Sequence, residues 1–293
     1  MEKISVLNNF DKNKYFLDPY PHLIIDKVFD EKIYDELEKD FQKNLLREFK
    51  LKKEFSKENT RVQLAASEIS NNKNLESKIW KDFVDYHCSK EFFLEFFKIF
   101  ENEIYKLLPE VHKKIIGNHN NENFIKMRGA FHKSRSEIKE ENSKSEFVLD
   151  CQPSITTPNI NGQKTVRGPH VDSPYKLYAG LFYLRDINDK LEGGDIILYK
   201  SKTSVKFNNK TNVINDNEIE QSKIFKYGKN NLVMHLNTPL TIHGVSKRAT
   251  GNYRRNLVNI IAESYKEDKL FKLNYKNNIF SNLSNKYKKY LNL

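Results

Sequence analysis

Cysteine is scarce in this chain of 293 residues, and long apolar runs are missing from it. The two cysteines, Cys88 and Cys151, are too few for a disulfide framework or for a zinc site built from several cysteines. A reducing, cytoplasmic location is therefore expected. No run of about 18 apolar residues is found, so we expect no membrane span. Residues 1–10 lack the apolar stretch and the cleavage site of a secretory signal, so none is expected there.

Acidic residues are fewer than basic ones: 39 Asp and Glu stand against 50 Lys and Arg, which gives a net charge of +11. A basic balance is compatible with nucleic acid as a partner. The lysines, however, are spread along the chain and often lie beside acidic residues, which favours a solvated basic surface instead. Aromatic residues make up 12% of the chain, a share that excludes disorder of the whole molecule and indicates a folded core.

The first half of the sequence carries helical patterns. Asp30 has the short, oxygen-bearing side chain of a helix N-cap, and apolar residues recur at every fourth position through residues 31–42. A second helical region is predicted over residues 75–108, with Pro109 marking its end. Its row of phenylalanines is expected to belong to the core. A short buried strand is predicted at residues 23–25, after a proline-containing turn.

From residue 147 the pattern changes to short apolar runs separated by turns, which predicts a β-sandwich or barrel. The runs lie at residues 147–148, 177–184, 196–199, 231–236, 241–245 and 257–262. We therefore divide the chain into three parts. Residues 1–146 form a helical region that packs on the barrel, residues 147–265 form the barrel, and residues 266–293 form a basic and aromatic extension. The polar stretch between residues 199 and 229 is interpreted as an insertion or a lid.

Residues 167–175 read Arg-Gly-Pro-His-Val-Asp-Ser-Pro-Tyr and place His170 and Asp172 two positions apart. On a strand, residues i and i+2 project to the same face, so an imidazole nitrogen and a carboxylate oxygen can meet at one ion. Without further context, the pair is better explained as a structural histidine beside an aspartate in a turn than as a metal site. His243, which follows an apolar strand, shifts the balance toward a metal site. Two histidines and one carboxylate form the facial triad of non-haem Fe(II) oxygenases.

Such a triad leaves coordination positions open, of which a 2-oxo acid can occupy two and O₂ a third. The distal carboxylate of 2-oxoglutarate needs a fixed cation, and arginine suits this role because its planar fork binds carboxylates through two hydrogen bonds. Arg254, eleven residues after His243, is the preferred candidate. Arg255 projects to the other face of the same strand, so only one of the two can point inward. Arg248 is too close to His243 to have left the turn.

These residues resemble the 2-oxoglutarate/Fe(II)-dependent dioxygenase superfamily, in its prolyl-4-hydroxylase-like branch. The resemblance covers roughly residues 147–263 and the short strand near residue 20. It implies a mainly β fold with flanking helices, namely a double-stranded β-helix (a cupin-like jelly roll) with an N-terminal helical buttress. It also implies Fe(II) as the metal and 2-oxoglutarate and O₂ as co-substrates, and it admits ascorbate as an accessory reductant.

The resemblance assigns roles to individual residues. His170, Asp172 and His243 match the metal ligands, and Arg254, with Arg255 as the alternative, matches the anchor of the co-substrate. Tyr183, in the segment Gly180-Leu-Phe-Tyr-Leu-Arg185, takes the place of a tyrosine that contacts the co-substrate. The Gly193–Gly194 pair resembles the turn that opens the next strand of the family's barrel.

The implied reaction is hydroxylation of an unactivated C–H bond in a peptidyl residue or a small metabolite, with release of succinate and CO₂. Two other functions stay open. A nucleic-acid oxidative demethylase on the same scaffold is supported by the basic charge. A non-enzymatic jelly-roll binding module is a further alternative, against which the complete set of metal and arginine residues speaks.

Several other residues have two interpretations at this point. His235 is expected to be a packing residue in the core, and Cys151 a buried structural thiol. Residues 59–63 are expected to be a solvated loop rather than a segment that closes over the pocket. Four further side chains are candidates for the cavity wall, although the sequence does not separate ligand from scaffold among them: Gln152, Ser154, Thr156 and Lys176.

Overall fold

The computed structural model describes residues 4–129, 137, 144–165, 167–202, 206–207, 212–266 and 269–275. Most of the predicted C-terminal extension, residues 276–293, lies outside these ranges, so its interpretation is not addressed by the structure. Within the described residues, no helix combines the length and the apolar character that crossing a membrane requires.

Eleven strands are found in the described part of the chain. They are β1 (Tyr15–Phe16), β2 (His22–Asp26), β3 (Arg61–Gln63), β4 (Ile125–Met127), β5 (Phe147–Thr156), β6 (Lys176–Leu184), β7 (Ile196–Ser201), β8 (Ile219–Phe225), β9 (Lys229–Leu236), β10 (His243–Val245) and β11 (Arg255–Glu263). The helices are α1 (Glu31–Asp40), α2 (Leu46–Lys50), α3 (Ala66–Ser70), α4 (Lys78–His87), α5 (Lys90–Leu107) and α6 (Pro109–Asn118).

The strands form two sheets. The larger sheet has the order β1-β2-β9-β6-β11-β5-β3, and β4 pairs with β5 in parallel. The smaller sheet has the order β10-β7-β8, and an isolated bridge between His170 and His243 joins the segment before β6 to it. The two sheets, antiparallel except for the β4–β5 pair, face each other across a cavity and form a jelly roll, which confirms the predicted mainly β fold with flanking helices.

The larger sheet separates an apolar core from a polar cavity, because neighbouring residues of a strand point to opposite faces. On β11, Val258, Ile260 and Ala262 belong to the core under the helices. The residues between them line the cavity, among them Asn259 and Glu263. Both faces of β11 are buried, which explains why the strand reads as a nearly continuous apolar run in the sequence.

The helices pack against the outer face of the larger sheet. The predicted N-cap is present: the Asp30 carboxylate accepts a hydrogen bond from the backbone N–H of Ile33 at 2.9 Å. The single helical region predicted over residues 75–108 is instead two helices, because Ser89 caps a new one by accepting from the N–H of Phe92 at 3.3 Å. Pro109 also begins α6 at its first position, where its missing N–H costs nothing.

The phenylalanines of α5 lie in the core, as predicted. Four of them are fully buried: Phe92, Phe93, Phe96 and Phe100. The ring centroids of Phe96 and of Tyr178 on β6 are 4.1 Å apart. Helices and barrel therefore share one hydrophobic core. The polar stretch between residues 199 and 229 is only partly an insertion, because its second half forms β8 and pairs with β7.

Candidate active site

The structure brings His170, Asp172 and His243 together at one end of the cavity. His170 and His243 exchange two backbone hydrogen bonds of 2.9 Å, so the smaller sheet fixes their spacing. One ligand atom from each of the three side chains lies within 4.8 Å of the other two. The Nε2 of His170 is 3.7 Å from the Oδ1 of Asp172. All three side chains are buried, so their polar atoms face the cavity and not bulk water.

Backbone carbonyls set the orientation of both imidazoles. The Nδ1 of His170 lies 2.8 Å from the carbonyl oxygen of Gly168, and the Nδ1 of His243 lies 3.2 Å from that of Thr241. A carbonyl oxygen can only accept, so Nδ1 carries the proton and Nε2 keeps its lone pair. Burial lowers the pKa of both histidines, and repulsion from His170 lowers the pKa of His243 further. Both rings are thus neutral, the form that binds metals.

Asp172 is ionised in this environment. Burial opposes ionisation, but the opposite charge of Lys176 holds the pKa of Asp172 well below its usual range. The Nζ of Lys176 is 2.9 Å from Oδ2, and an Nη1 of Arg167 is 3.8 Å from Oδ1. Two neutral imidazoles with free Nε2 atoms and one carboxylate form a donor set that fits a divalent transition metal with three positions left open.

The cavity between the sheets has a volume of about 300 Å³. Its wall near the triad includes apolar side chains from both sheets: Ala179, Leu181, Ile196, Val245, Leu257 and Ile261. Of the four side chains left undecided by the sequence, Gln152, Thr156 and Lys176 line the cavity. Ser154 instead donates its hydroxyl proton to the carbonyl of Gln152 at 3.0 Å.

Arg255, and not Arg254, is the arginine of the barrel interior. Arg255 opens β11, is buried, and lines the cavity. Its Nε donates to the carbonyl of Gly194 at 2.7 Å, and its Nη2 lies 3.4 Å from the hydroxyl of Tyr183. Arg254 turns the other way and reaches Gln42 at 3.3 Å. The preference for Arg254 was therefore wrong. The two side chains point to opposite faces of the strand, as expected, but β11 begins at Arg255 and it is the side chain of Arg255 that points into the barrel.

Tyr183 lies beside Arg255 and not in the cavity wall itself. The guanidinium of Arg255 sits 5.2 Å from the ring centroids of both Tyr183 and Tyr227. Burial raises the pKa of Tyr183, although Arg255 opposes this, so the phenol keeps its proton. The oxygen of Tyr183 accepts from Arg255.

His235 was expected to be a packing residue, and the structure places its buried ring in the cavity wall beside His243. Its ring is 4.8 Å from that of His243, it lines the cavity, and neither ring nitrogen has a hydrogen-bond partner among the described residues. By contrast, His87 is equally buried but uses both nitrogens, on Phe83 and on the N–H of Val6. A buried imidazole without partners is costly, so His235 fits a site that a polar ligand fills. In the sequence, the available signal was its position next to Leu236 on an apolar strand. Because neighbouring residues of a strand point to opposite faces, one of the two had to face the cavity.

Two other contributions to the cavity were missed. Residues 61–63 were expected in a solvated loop, but they form β3, pair with β5, and place Arg61 and Gln63 in the cavity wall. At the far end, Arg128 contacts Glu263 and donates to the hydroxyl of Tyr265 at 2.7 Å. Residues so distant in sequence give no local pattern that would join them.

A buried carboxyl lies behind the cavity wall, and two buried thiols lie in the apolar core. Asp150 accepts from the N–H of Ala66 at 2.9 Å, and burial raises the pKa of Asp150 to about 6 against the opposing charge of Arg128. Burial also raises the pKa of the Cys88 and Cys151 thiols. A thiol that does not ionise is a poor nucleophile, which agrees with the structural role expected for Cys151.

Comparison with protein-family models and with curated proteins gives no match for this chain. Solved structures do resemble it. An oxygenase from Shewanella oneidensis has a TM-score of 0.45 and 11% identity, and covers 93% of this chain and 90% of its own. A prolyl 4-hydroxylase from Phytophthora capsici has a TM-score of 0.42 and 11% identity, and the match covers 93% of this chain and 69% of that one.

A third similar structure is a prolyl hydroxylase from Trichoplax adhaerens, solved with a peptide fragment of the hypoxia inducible factor oxygen degradation domain. Its TM-score is 0.40 at 12% identity, over 89% of this chain and 88% of that one. Likenesses at this level do not identify a reaction. The assignment of a function therefore depends on the geometry of the site.

Proposed function

We propose that the protein is an Fe(II)- and 2-oxoglutarate-dependent dioxygenase that hydroxylates an unactivated C–H bond and releases succinate and CO₂. The observation that carries this proposal is the convergence of His170, Asp172 and His243, whose ligand atoms lie within 4.8 Å of one another in a buried cavity. If the two histidines and the aspartate had only a structural role, the two Nε2 atoms would not need to keep their lone pairs available to one shared ion. The carbonyls of Gly168 and Thr241 keep them so.

His170, Asp172 and His243 would hold the iron, and the bound iron would supply the oxidative chemistry with O₂. The chain's own contribution is to fix the donor atoms and to exclude water. Lys176 holds the second oxygen of Asp172 at 2.9 Å, which leaves Oδ1 for the metal. Ile196, Val245 and other apolar side chains line the same space, so a C–H bond there would be shielded from bulk solvent.

Arg255 is proposed to bind the distal carboxylate of 2-oxoglutarate. The cation is fixed in the barrel by Gly194 and Tyr183, and it lines the cavity that the triad also faces. A carboxylate here would gain charge-assisted hydrogen bonds from a guanidinium whose orientation is already set. The same cavity therefore supports the proposal of Fe(II) with 2-oxoglutarate and O₂ as co-substrates, whereas the nucleic-acid alternative depends on net charge alone.

The test is anaerobic titration of the protein with Fe(II) and 2-oxoglutarate, followed by visible absorption. We expect the metal-to-ligand charge-transfer band of a chelated 2-oxo acid, and succinate formation once O₂ is admitted. His170→Ala should abolish both, because it removes one of three ligands. His119→Ala, at the C-cap of α6 and outside the cavity, is the matched control and should retain both. Succinate formation at the wild-type rate by His170→Ala would contradict the assignment.

A further inference from the structure

A row of side-chain amides crosses one wall of the cavity. Gln63 on β3, Gln152 on β5 and Asn259 on β11 lie on adjacent strands and line the cavity together. The Nε2 of Gln63 donates to the Oε1 of Gln152 at 2.7 Å, and the Nδ2 of Asn259 donates to the same oxygen at 3.1 Å. The two outer amides of this amide row therefore flank one atom. The proposed function gives none of the three residues a role.

Asp150 sets the direction of the amide row. Its Oδ1 accepts from the backbone N–H of Ala66 at 2.9 Å, and its Oδ2 accepts from the Nε2 of Gln152 at 2.5 Å. The Nε of Arg128 lies 3.7 Å from the same Oδ2. An ionised carboxylate has no hydrogen to donate, so Gln152 has to turn its NH₂ group toward Asp150. The hydrogen-bond partner thus decides which way this amide points.

The direction set at Asp150 passes through Gln152 to the outer amides. Gln152 presents its carbonyl oxygen to Gln63 and Asn259, and each of these has to answer with its NH₂ group. Their own carbonyl oxygens are left over. Among the described residues, neither the Oε1 of Gln63 nor the Oδ1 of Asn259 has a hydrogen-bond partner, and neither is one of the enclosed polar atoms that lack a partner. Because both residues line the cavity, these oxygens are open to it.

The amide row lies within reach of a small molecule held at the triad. The register of the larger sheet sets His235 opposite Ala179 and Ala179 opposite Ile261. Asn259 is two residues before Ile261 and projects to the same face of β11. The backbones of Asn259 and His235 are thus roughly 12 Å apart, two strand spacings across and two residues along. The ring of His235 lies beside that of His243, so one substrate can contact the row and approach the metal ligands.

The open carbonyl oxygens select the group that they can bind. They only accept hydrogen bonds, so a carboxylate or a phosphate would place lone pairs against lone pairs. A cationic amine would find no free carboxylate in the row, because both oxygens of Asp150 are occupied. Each outer amide also keeps one N–H beside its carbonyl, since an NH₂ group has two hydrogens and Gln152 uses one. A neutral amide offers the matching donor and acceptor.

We propose that Gln63 and Asn259 bind an amide group of the primary substrate, and that Asp150, acting through Gln152, is the positioning residue that sets the polarity of this site. The inference rests on the proposed function only in that the bound amide would hold a neighbouring C–H bond near the metal. A substrate without the N–H would leave a buried acceptor unpaired, which weakens binding. Discrimination between substrates is thus built into the wall opposite the apolar side chains.

N-methylacetamide and methyl acetate test the polarity of the site, because they have nearly the same shape and differ by one N–H. The full chain is loaded with Zn(II), a diamagnetic substitute for iron, and with 2-oxoglutarate, and saturation-transfer difference NMR gives the Kd of each probe. The pH is 8, above the pKa of about 6 to which burial raises Asp150. We expect the amide to bind about tenfold more tightly than the ester, since the ester leaves an acceptor unpaired. Equal affinities would overturn the proposal.

Asp150→Asn should reverse the amide row. The N–H of Ala66 keeps the carbonyl oxygen of the new side chain, so its NH₂ group faces Gln152. Gln152 then turns its carbonyl toward position 150 and its NH₂ group toward Gln63 and Asn259, whose N–H groups become the open ones. The preference for the amide over the ester should fall below about twofold, because both probes carry a carbonyl that accepts. An unchanged tenfold preference would contradict the role of Asp150.

Gln152→Met separates the direction of the row from the charge pair behind it. This variant keeps Asp150 beside Arg128 but removes the amide that connects Asp150 to the outer pair, so the preference should be lost here too. Ser154→Ala, on the same strand but outside the cavity wall, is the matched control and should keep the preference. A loss in Asp150→Asn alone would assign the effect to the contact with Arg128 and would overturn the connection through Gln152.

Failure of this proposal is distinguishable from failure of the proposed function. Binding of Zn(II) and 2-oxoglutarate is measured first by calorimetry, and the two probes are compared again on the metal-free protein. If metal and co-substrate bind and the wild type does not distinguish the probes, only the amide site is overturned. If the metal does not bind but the preference and its loss in Asp150→Asn persist, the amide site stands and the proposed function fails.

The source of the amide is separated by a third and a fourth probe. Propionamide is a primary carboxamide, whereas N-methylacetamide resembles a peptide backbone. Tighter binding of propionamide would indicate a substrate with a side-chain carboxamide, and tighter binding of N-methylacetamide a peptide. Binding of 1-propanol as tight as that of either amide would overturn the amide in favour of a hydroxyl group.

Discussion

Arg255 is held in place before any ligand arrives. Its Nε bonds the Gly194 carbonyl, its Nη2 reaches Tyr183, and the rings of Tyr183 and Tyr227 lie 5.2 Å from the guanidinium carbon. A cation fixed in this way loses little conformational freedom when it binds a carboxylate. Arg255 should therefore determine the affinity for the co-substrate and leave the metal site intact.

Replacing Arg255 by alanine should raise the Kd for 2-oxoglutarate by about tenfold to a hundredfold, because hydrogen bonds to charged groups contribute roughly 1.5–3 kcal/mol. Affinity for Mn(II) should stay unchanged. Calorimetric titration of the metal-free protein with Mn(II) measures the affinity for the metal, and titration of the Mn(II)-loaded protein with 2-oxoglutarate measures the affinity for the co-substrate. Arg254→Ala is the neighbouring control, and an equal loss of affinity in that variant would show that Arg255 is not the anchor.

At the level of secondary-structure elements, the turn before β7 helps to hold the proposed co-substrate anchor, Arg255, in place. Gly193 and Gly194 have φ angles of 80° and 79°, in the left-handed region that favours glycine. A Cβ on Gly193 would lie 1.8 Å from the carbonyl oxygen of Lys247. The turn thus needs both the backbone freedom and the missing side chain of Gly193, and the carbonyl of Gly194 receives Arg255 as a result.

Gly193→Ala should lower the free energy of unfolding by more than about 1 kcal/mol, since it adds backbone strain to a steric clash. Gly117→Ala on α6 is the control: no atom lies within 4 Å of its added Cβ, so it should stabilise the helix by up to about 1 kcal/mol. Urea unfolding of both variants gives the comparison. Two variants of equal stability would contradict the close approach of Lys247 to the turn.

How much of the site could be predicted from the sequence depended on the strands that carry its residues. His170 and Asp172 are two residues apart, so local strand geometry was enough to predict that both face one ion. The third ligand could be predicted because it follows an apolar strand. The choice between Arg254 and Arg255 depended on the residue at which β11 begins, which spacing does not define. β3 is only three residues long, with Val62 as its single apolar residue, and it pairs with β5, so the sequence showed no periodicity that would predict a strand at Arg61.

At the scale of the whole molecule, buried neutral histidines make stability depend on pH. Burial lowers the pKa of His22, His87 and His235 to about 4 each. The unfolded chain binds these protons near pH 6.5, but the native protein does not until about pH 4, so this stability is complete above pH 6.5 and is lost as the pH falls. Asp150, whose pKa burial raises to about 6, acts in the opposite direction.

The free energy of unfolding of the metal-free protein should therefore fall between pH 7 and pH 5, by roughly 2 kcal/mol for each such histidine before the offset from Asp150. Urea unfolding monitored through the fluorescence of Trp80, the only tryptophan, measures it. His87→Gln removes one titrating group outside the cavity and should reduce the change in stability over this range by roughly 2 kcal/mol. A stability that does not change over this range would mean that these rings are accessible to protons in the native state.

The position of β3 has a consequence for how this protein can diverge. The triad and Arg255 are embedded between strands that also form the core, and few changes there are tolerated. Arg61 lies instead on a three-residue strand at the margin of the sheet. Because β3 contributes Arg61 and Gln63 to the cavity wall but none of the triad, selection can alter which substrate is accepted without changing the residues proposed for the oxidation. Substrate preference would then drift faster than chemistry among descendants of this chain, and β3 would be the place to look for it.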